Sequence, residues 1–341
     1  MMPGLEERGK ILIVRKPFPL LGHIGFGIID RGYNNLQVRV TSLCNLNCIF
    51  CSVDAGPKSK RIREFLVMDP QWVVENVAEA IRWKGRLHIL LDAAGDPLTN
   101  PLICEHVKKL KQLPGVETVS LETRLHGASE DLIHCLEEAG LDRINLSVDT
   151  LDPEKAKALA GTPSYDVKKV IGLAEYIANN TNIDIHITPV WIPGVNDLDI
   201  ENIIRWALRA GFGKRVPPLG IQKYVVHKHG RKIRGVKEWS WSMFYSKLKE
   251  LEKKHGIKLV LSPEDYKMHP APRIPCQYTV GQYVKLSVVC EGWLRNEYIA
   301  LPPSRNRVFT LISKRETFEK GDVVVSRIIH DKDGILIAVP A

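Results

Sequence analysis

The chain has 341 residues, 44% of them hydrophobic, enough to bury one large α/β domain and a small second one. No apolar run approaches the roughly twenty residues of a membrane span, and the opening Met-Met-Pro-Gly-Leu-Glu-Glu-Arg lacks the apolar core of a secretion signal, so a cytoplasmic location and no membrane partner are expected. A net charge of +9 favours an anionic partner such as nucleic acid.

Residues 1–35 are short apolar pieces punctuated by glycine and proline, expected to pack on the main domain as an N-terminal extension. Strands and helices then alternate. Residues 36–40 read as a strand. Asp69-Pro70 sets a cap and a first-turn proline for a helix to about Trp83. A strand at 87–91, a helix near 103–113 and a strand at 118–121 follow, then a helix capped by Ser129 and stopped at Gly140, and a strand at 143–147. Asp152-Pro153 opens another helix and Asp166 caps a longer one. A strand at 183–187 and a helix at 198–210 lead to a last strand at 219–226, with an amphipathic helix at 241–255 behind it.

Parallel strands need crossover helices, so this order predicts an α/β core with helices outside a parallel sheet. Six such strands over residues 36–262 make a partial (β/α)6 TIM-like barrel. Pro263, Pro270, Pro272 and Pro275 mark a linker over 263–277. Beyond it, runs at 281–289, 297–301, 308–312, 322–329 and 334–339 predict a small all-β OB-like barrel over 278–341.

Cys44, Cys48 and Cys51 lie in the run Leu-Cys-Asn-Leu-Asn-Cys-Ile-Phe-Cys-Ser after the first core strand. Three thiolates bind three irons of a cubane cluster and leave one iron open, whereas a closed electron-carrying cluster takes four ligands. The competing reading is structural zinc, which wants four ligands, usually as two C-x-x-C pairs. Cys48 and Cys51 make one pair, and Cys104, Cys135, Cys276 and Cys290 are distant singles. Barrel chemistry sits at the C-terminal strand ends, where this loop falls. Cys104 and Cys135 fall in predicted helices and read as buried packing thiols, and His88 and His186 as packing or lumen residues within strands.

The C-x₃-C-x₂-C spacing, with an aromatic residue before the third cysteine, resembles the radical S-adenosylmethionine (radical SAM) superfamily. The resemblance covers about residues 36–260. It implies a [4Fe–4S] cluster on Cys44, Cys48 and Cys51 whose open iron chelates S-adenosyl-L-methionine, reductive cleavage to a 5′-deoxyadenosyl radical, and an electron donor of ferredoxin or flavodoxin type. Ala94-Gly95-Asp96-Pro97 stands where the family has Gly-Gly-Glu-Pro, implying that Ala94, Gly95 and Asp96 receive the methionyl ammonium. Glu122-Thr123 is similar to the family's Glu-Thr-Asn, implying a ribose or ammonium acceptor at Glu122. Residues 143–153 resemble the ribose-binding segment of the enzymes that begin molybdenum cofactor synthesis, which puts Ser147 and Asp149 at the adenosyl pocket. Val190-Trp-Ile-Pro-Gly194-Val-Asn-Asp197 resembles the same enzymes' Gly-Val-Asn-Asp segment, implying Val190 and Gly194 near the adenine, while Asp197 itself reads as the cap of the next helix. Phe50 would flank the adenine.

In the tail, Val-Gly-Gln-Tyr-Val and Lys-Gly-Asp-Val-Val-Val-Ser-Arg-Ile resemble the TRAM domain, an OB-like module that binds RNA. The basic stretch 214–237, free of Asp and Glu, and a second knot at Lys58, Lys60, Arg61 and Arg63 fit the same partner. The expected activity is therefore radical modification of an RNA nucleoside, with tRNA the expected substrate and methylation one possible outcome. Residues 1–43 carry no cysteines for a second cluster, which disfavours sulfur insertion. Cys276, at the seam between the domains, is a candidate methyl carrier, against the reading of a linker thiol. A small-molecule cyclase and a non-catalytic iron–sulfur RNA-binding protein are the competing functions.

Overall fold

The computed structural model describes residues 2–341. The chain folds into two compact units that do not follow chain order. One holds the residues up to Leu43, Lys60–Val119 and Pro270–Ala341, the other Cys44–Ser59 and Ser120–His269. Six strands run in the order Gly27–Asp30, Asn35–Arg39, Leu87–Asp92, Val116–Thr123, Arg143–Leu146 and Asp184–Ile187, and the division falls inside the fourth. The fold is mixed α/β, with a partial TIM-like core and a small closed β-barrel in the C-terminal region.

In the first unit, Asn35–Arg39 pairs parallel with Leu87–Asp92 and antiparallel with Gly27–Asp30. The helix Pro70–Lys84 begins where the sequence predicts, because the Asp69 carboxylate accepts from the Trp72 amide at 2.9 Å. Val73, Val77 and Ala80 form its buried stripe. Lys84 is buried at its end with the ammonium 2.8 Å from Asp30. Leu5–Arg8, Ile11–Val14 and Glu64–Val67 make a separate three-stranded sheet. The Glu64–Val67 strand escapes sequence reading because four residues after a basic knot carry no turn signal of their own.

The C-terminal strands Tyr283–Glu291, Glu297–Leu301, Phe309–Ile312, Val323–His330 and Ile337–Pro340 close into a barrel in which the third and fifth pair in parallel. Leu286, Val288, Phe309, Leu311, Ile328 and Ala338 fill it. Inward Leu286 and Val288 alternate with outward Lys285 and Ser287, the period-two pattern of a sheet with one wet face.

In the second unit, Arg143–Leu146 and Asp184–Ile187 pair in parallel. Ser129, Asp152 and Asp166 cap the helices Glu130–Glu138, Pro153–Ala160 and Val167–Asn180 through side-chain oxygens, as expected. The expected last strand at 219–226 is reduced to Gln222–Lys223, which pairs with Val190–Trp191 in a two-stranded ladder. Pro217 and Pro218 have no N–H to extend the pairing, and a Cβ at Gly220 would lie 2.5 Å from the His186 ring; the chain passes that point with one isolated bridge, Leu219 to Ile187. The sixth sheet strand is instead Gly27–Asp30, at the antiparallel edge.

Candidate functional site

The cysteine loop belongs to the second unit, and its backbone is pinned on several sides. The Asn47 and Ile49 amides donate to Ala160 and Leu159 carbonyls at 3.0 Å, and the Asn47 side chain accepts from the Lys58 amide at 2.9 Å. Glycines let other segments come close. A Cβ at Gly161 would collide with the Asn47 carbonyl, and one at Gly56 with the Leu46 carbonyl. Both sit at positive φ, 60° and 107°, which a larger residue rarely adopts.

All three cysteines are half-buried. The Leu46 amide points at Cys44 Sγ at 3.4 Å and the Ala55 amide at Cys51 Sγ at 3.3 Å. Such N–H donors favour thiolate and tune a cluster's potential. Burial pushes the Cys48 thiol above its ordinary value, and Arg124 works against that shift. Three thiols carried by one loop are the donor set that three irons of a cubane would take.

Beneath the loop lies an apolar floor of Phe50, Leu159, Ile192 and Tyr224, against which Cys48 and Val190 pack. Beside it runs a buried polar network. Arg124 Nη2 meets Asp149 Oδ2 at 2.7 Å, the Val190 amide donates to Asp149 Oδ1 at 2.8 Å, and Asn196 Nδ2 donates to the Asp149 and Val190 carbonyls at 2.9 Å. The Arg124 guanidinium also lies 5.4 Å from the Tyr165 ring centre and 6.0 Å from that of Phe50. Burial pushes Arg124 down, but Asp149, then Cys48 and Tyr165, outweigh it and hold the group well above its ordinary value. Tyr165 is 1% exposed, and burial raises its hydroxyl above its ordinary value while the adjacent Arg124 guanidinium works against that shift.

The structure thus brings Phe50, Asp149 and Val190 together with the cysteine loop. Ser147 Oγ lies 3.3 Å from Thr188 Oγ1, and Glu122 is half-buried on Val116–Thr123 opposite Asn145. Gly194 is exposed at φ 73°, its amide donating to Asp197 Oδ2 at 2.7 Å, while Trp191 Nε1 donates to Asp197 Oδ1 at 2.7 Å. Asp197 is the first residue of its helix and Asn196 the cap position, so Asp197 locks a turn and does not cap.

Ala94, Gly95 and Asp96 belong to the first unit. The Asp96 amide donates to the Leu43 carbonyl at 2.8 Å, one residue before the first cysteine, and a Cβ at Gly95 would collide with that same carbonyl. The Ala94 carbonyl accepts from Arg61 Nη2 at 2.8 Å, and the Asp96 carboxylate caps the short turn Pro97–Thr99 through the Leu98 amide at 3.0 Å. Arg61 departs from its expected role in a solvent-facing basic knot. Its side chain is fully buried, paired with Glu64 at 3.1 Å and stacked on Trp293 at 4.0 Å. Arg63 pairs with Glu7 and Glu291. Cys276 packs against the C-terminal barrel's core, its Sγ 3.6 Å from the Tyr278 carbonyl. Cys104 is half-buried and Cys135 exposed, so neither is the buried packing thiol expected.

Sequence reading assigned no role to Arg124, Tyr165 or Asn196. Arg124 directly follows the Glu122-Thr123 segment and Asn196 lies inside the Val190–Asp197 run, so both were within reach; Tyr165 is placed only by the fold.

A family model for the radical SAM superfamily matches residues 38–207. An uncharacterized protein of Methanocaldococcus jannaschii is 36% identical over 351 residues, covering 96% of this chain and 80% of its own. A probable GTP 3′,8-cyclase of Pyrococcus abyssi is 31% identical over 182 residues, 52% of this chain and 54% of the cyclase. The chain therefore spans about half the length of the cyclases it matches. Among solved structures, SuiB of Streptococcus suis is similar over 73% of this chain and 49% of its own, at 15% identity and a TM-score of 0.49.

Proposed function

Because the chain belongs to the radical SAM superfamily, we propose that it is an enzyme that modifies an RNA nucleoside, tRNA being the first candidate. When bound, the family's [4Fe–4S] cluster and S-adenosylmethionine would supply one-electron radical chemistry. Cys44, Cys48 and Cys51 would hold the cluster. The protein's own work is to orient the substrate and exclude water. Phe50, Val190, Tyr224 and the Arg124–Asp149 pair offer a buried, mostly apolar wall for the adenosyl group.

The RNA reading is carried by the outer face of the C-terminal barrel, whose sequence resembles a TRAM domain. On paired strands, exposed Tyr283 stands opposite Arg327 and Lys285 opposite Val325. Tyr283 is 66% exposed, which leaves its ring free to stack on a base while the cations meet phosphates. Beside them a groove of about 490 Å³ is lined by Lys285, Arg305 and Lys320 and by no acidic side chain. The test is nucleoside mass spectrometry of tRNA and rRNA from cells with and without the gene. A modified nucleoside that disappears with the gene supports the proposal; identical profiles overturn it.

The likeness to GTP 3′,8-cyclases favours a second reading, a radical reaction on a small molecule such as a purine nucleotide. It predicts turnover of GTP by the reduced protein without RNA and no change in cellular nucleosides.

A further inference from the structure

The basic stretch 214–237 divides in two. Its first part is consumed internally: Lys214 Nζ donates to the Ala178 carbonyl at 2.5 Å, Arg215 pairs with Asp142 at 2.7 Å, and Lys223 pairs with Glu238 at 2.9 Å. Its second part is a strap laid over the cysteine loop. The Arg231 amide donates to the Cys51 carbonyl at 2.8 Å, and Nη1 to the Cys48 carbonyl at 3.0 Å. Nε pairs with Asp54 at 2.7 Å and Nη2 donates to the Ala55 carbonyl. Gly230 lies so close that a Cβ there would stand 2.6 Å from the Ser52 carbonyl oxygen. Ile233 and Val236 anchor the strap in the Phe50–Tyr224 floor, and the Ile233 amide donates to the Tyr224 hydroxyl at 3.1 Å.

Two of the three cysteines thus have their carbonyls held by a segment whose remaining basic side chains face water. His227, Lys228, His229, Lys232 and Arg234 are exposed, as is Lys58 on the loop itself. Asp54, the carboxylate nearest them in the loop, is neutralised by Arg231. Residues 214–237 contain no Asp or Glu, and Glu238 just beyond them is paired with Lys223.

We propose that this strap is the docking surface for the electron donor, a small acidic one-electron carrier protein holding flavin or iron–sulfur. One electron passes from the reduced carrier to the oxidised cluster, with no proton and no bond change. Complementary charge raises the encounter rate of such transient pairs and leaves their affinity modest. A donor seated on the strap approaches the cluster through the carbonyls of Cys48 and Cys51, two of its own ligand residues. The proposal rests on the cluster assigned above and concerns neither the substrate nor the C-terminal barrel.

The test compares the full chain with the triple variant K228E/K232E/R234E, none of whose residues lines the adenosyl wall. Cluster reduction is followed by bleaching of its visible absorbance, with either reduced acidic ferredoxin or dithionite as donor. The variant should be reduced by ferredoxin about ten-fold or more slowly at low salt and should lose the salt dependence of that rate. Dithionite reduction and iron content should stay unchanged. Equal ferredoxin rates overturn the proposal. So does a matched loss of affinity for a single-stranded RNA oligonucleotide with ferredoxin reduction intact, which would give the strap to RNA. If charge reversal lowers iron content, K228Q/K232Q/R234Q is read by the same criteria. Failure of the cluster assignment itself is distinct, because then the unaltered chain shows no cubane signal with either donor.

Discussion

Arg124 and Asp149, 25 positions apart, form an ion pair of 2.7 Å in which the carboxylate side chain is 1% exposed and the guanidinium 13%. The pair ties the end of one core strand to the loop after the next. Through the second carboxylate oxygen and Asn196 it also fixes the backbone at Val190. Both groups therefore shape the wall beside Cys48 whether or not either touches a ligand.

Removing the cation alone should be costly. Arg124→Met strands a buried carboxylate, and breaking such a pair costs about 3–5 kcal/mol. Asp149→Asn keeps an acceptor for the Val190 amide and should cost less than its partner's loss. Urea unfolding of both variants checks the order; equal and small losses would count against the network as described.

Glycine positions around the loop should separate sharply. Gly161→Ala meets the Asn47 carbonyl and a positive φ, so it should displace the loop and lower the iron bound after reconstitution. Gly172→Ala lies in the exposed middle of the helix Val167–Asn180, where a Cβ meets nothing. It should raise stability by about 1 kcal/mol with iron content unchanged. Thermal melts and iron assays on the two variants decide the point.

The cysteines should fall into two classes. Cys44→Ala, Cys48→Ala or Cys51→Ala should each abolish the cluster's visible absorbance and the formation of 5′-deoxyadenosine. Cys276→Ala removes a half-buried thiol that packs on the barrel core, and should leave cluster and cleavage intact at a stability cost of about 1 kcal/mol. If it instead blocks product while cleavage persists, Cys276 carries a group in the reaction.

Acid should destabilise the fold through buried histidines. Burial lowers His23 to about 3 and both His106 and His186 to about 4. Each rises to about 6.5 on unfolding, so between these values the unfolded chain binds more protons. The stability they contribute is complete above about pH 6.5 and is lost as pH falls toward 4. Melting temperature should drop across that window, and His106→Asn should flatten the slope. A flat profile in the parent chain would contradict the burial of these rings.

Much of the architecture was legible because it is local. Asp69, Ser129, Asp152 and Asp166 announce helix starts by chemistry that acts within three residues. The C-terminal barrel was legible from alternation alone. The last core strand was misjudged because Val225 and Val226 look strand-like, whereas Pro217, Pro218 and Gly220 decide where pairing stops. The basic runs misled for a related reason. Charge in a sequence does not say whether a partner waits elsewhere in the chain, and Arg61 and Arg215 each have one.

By itself the sequence determined that three thiols lie within eight residues, a spacing that stays close whatever surrounds it. It also determined the order of strands and helices, which follows from side-chain periodicity. Only the tertiary structure decided what holds the loop in shape. Arg231 meets Cys48 across 183 positions, and Gly161 meets Asn47 through a bare backbone contact. Such contacts depend on the closeness of segments far apart in the chain, which no local pattern encodes.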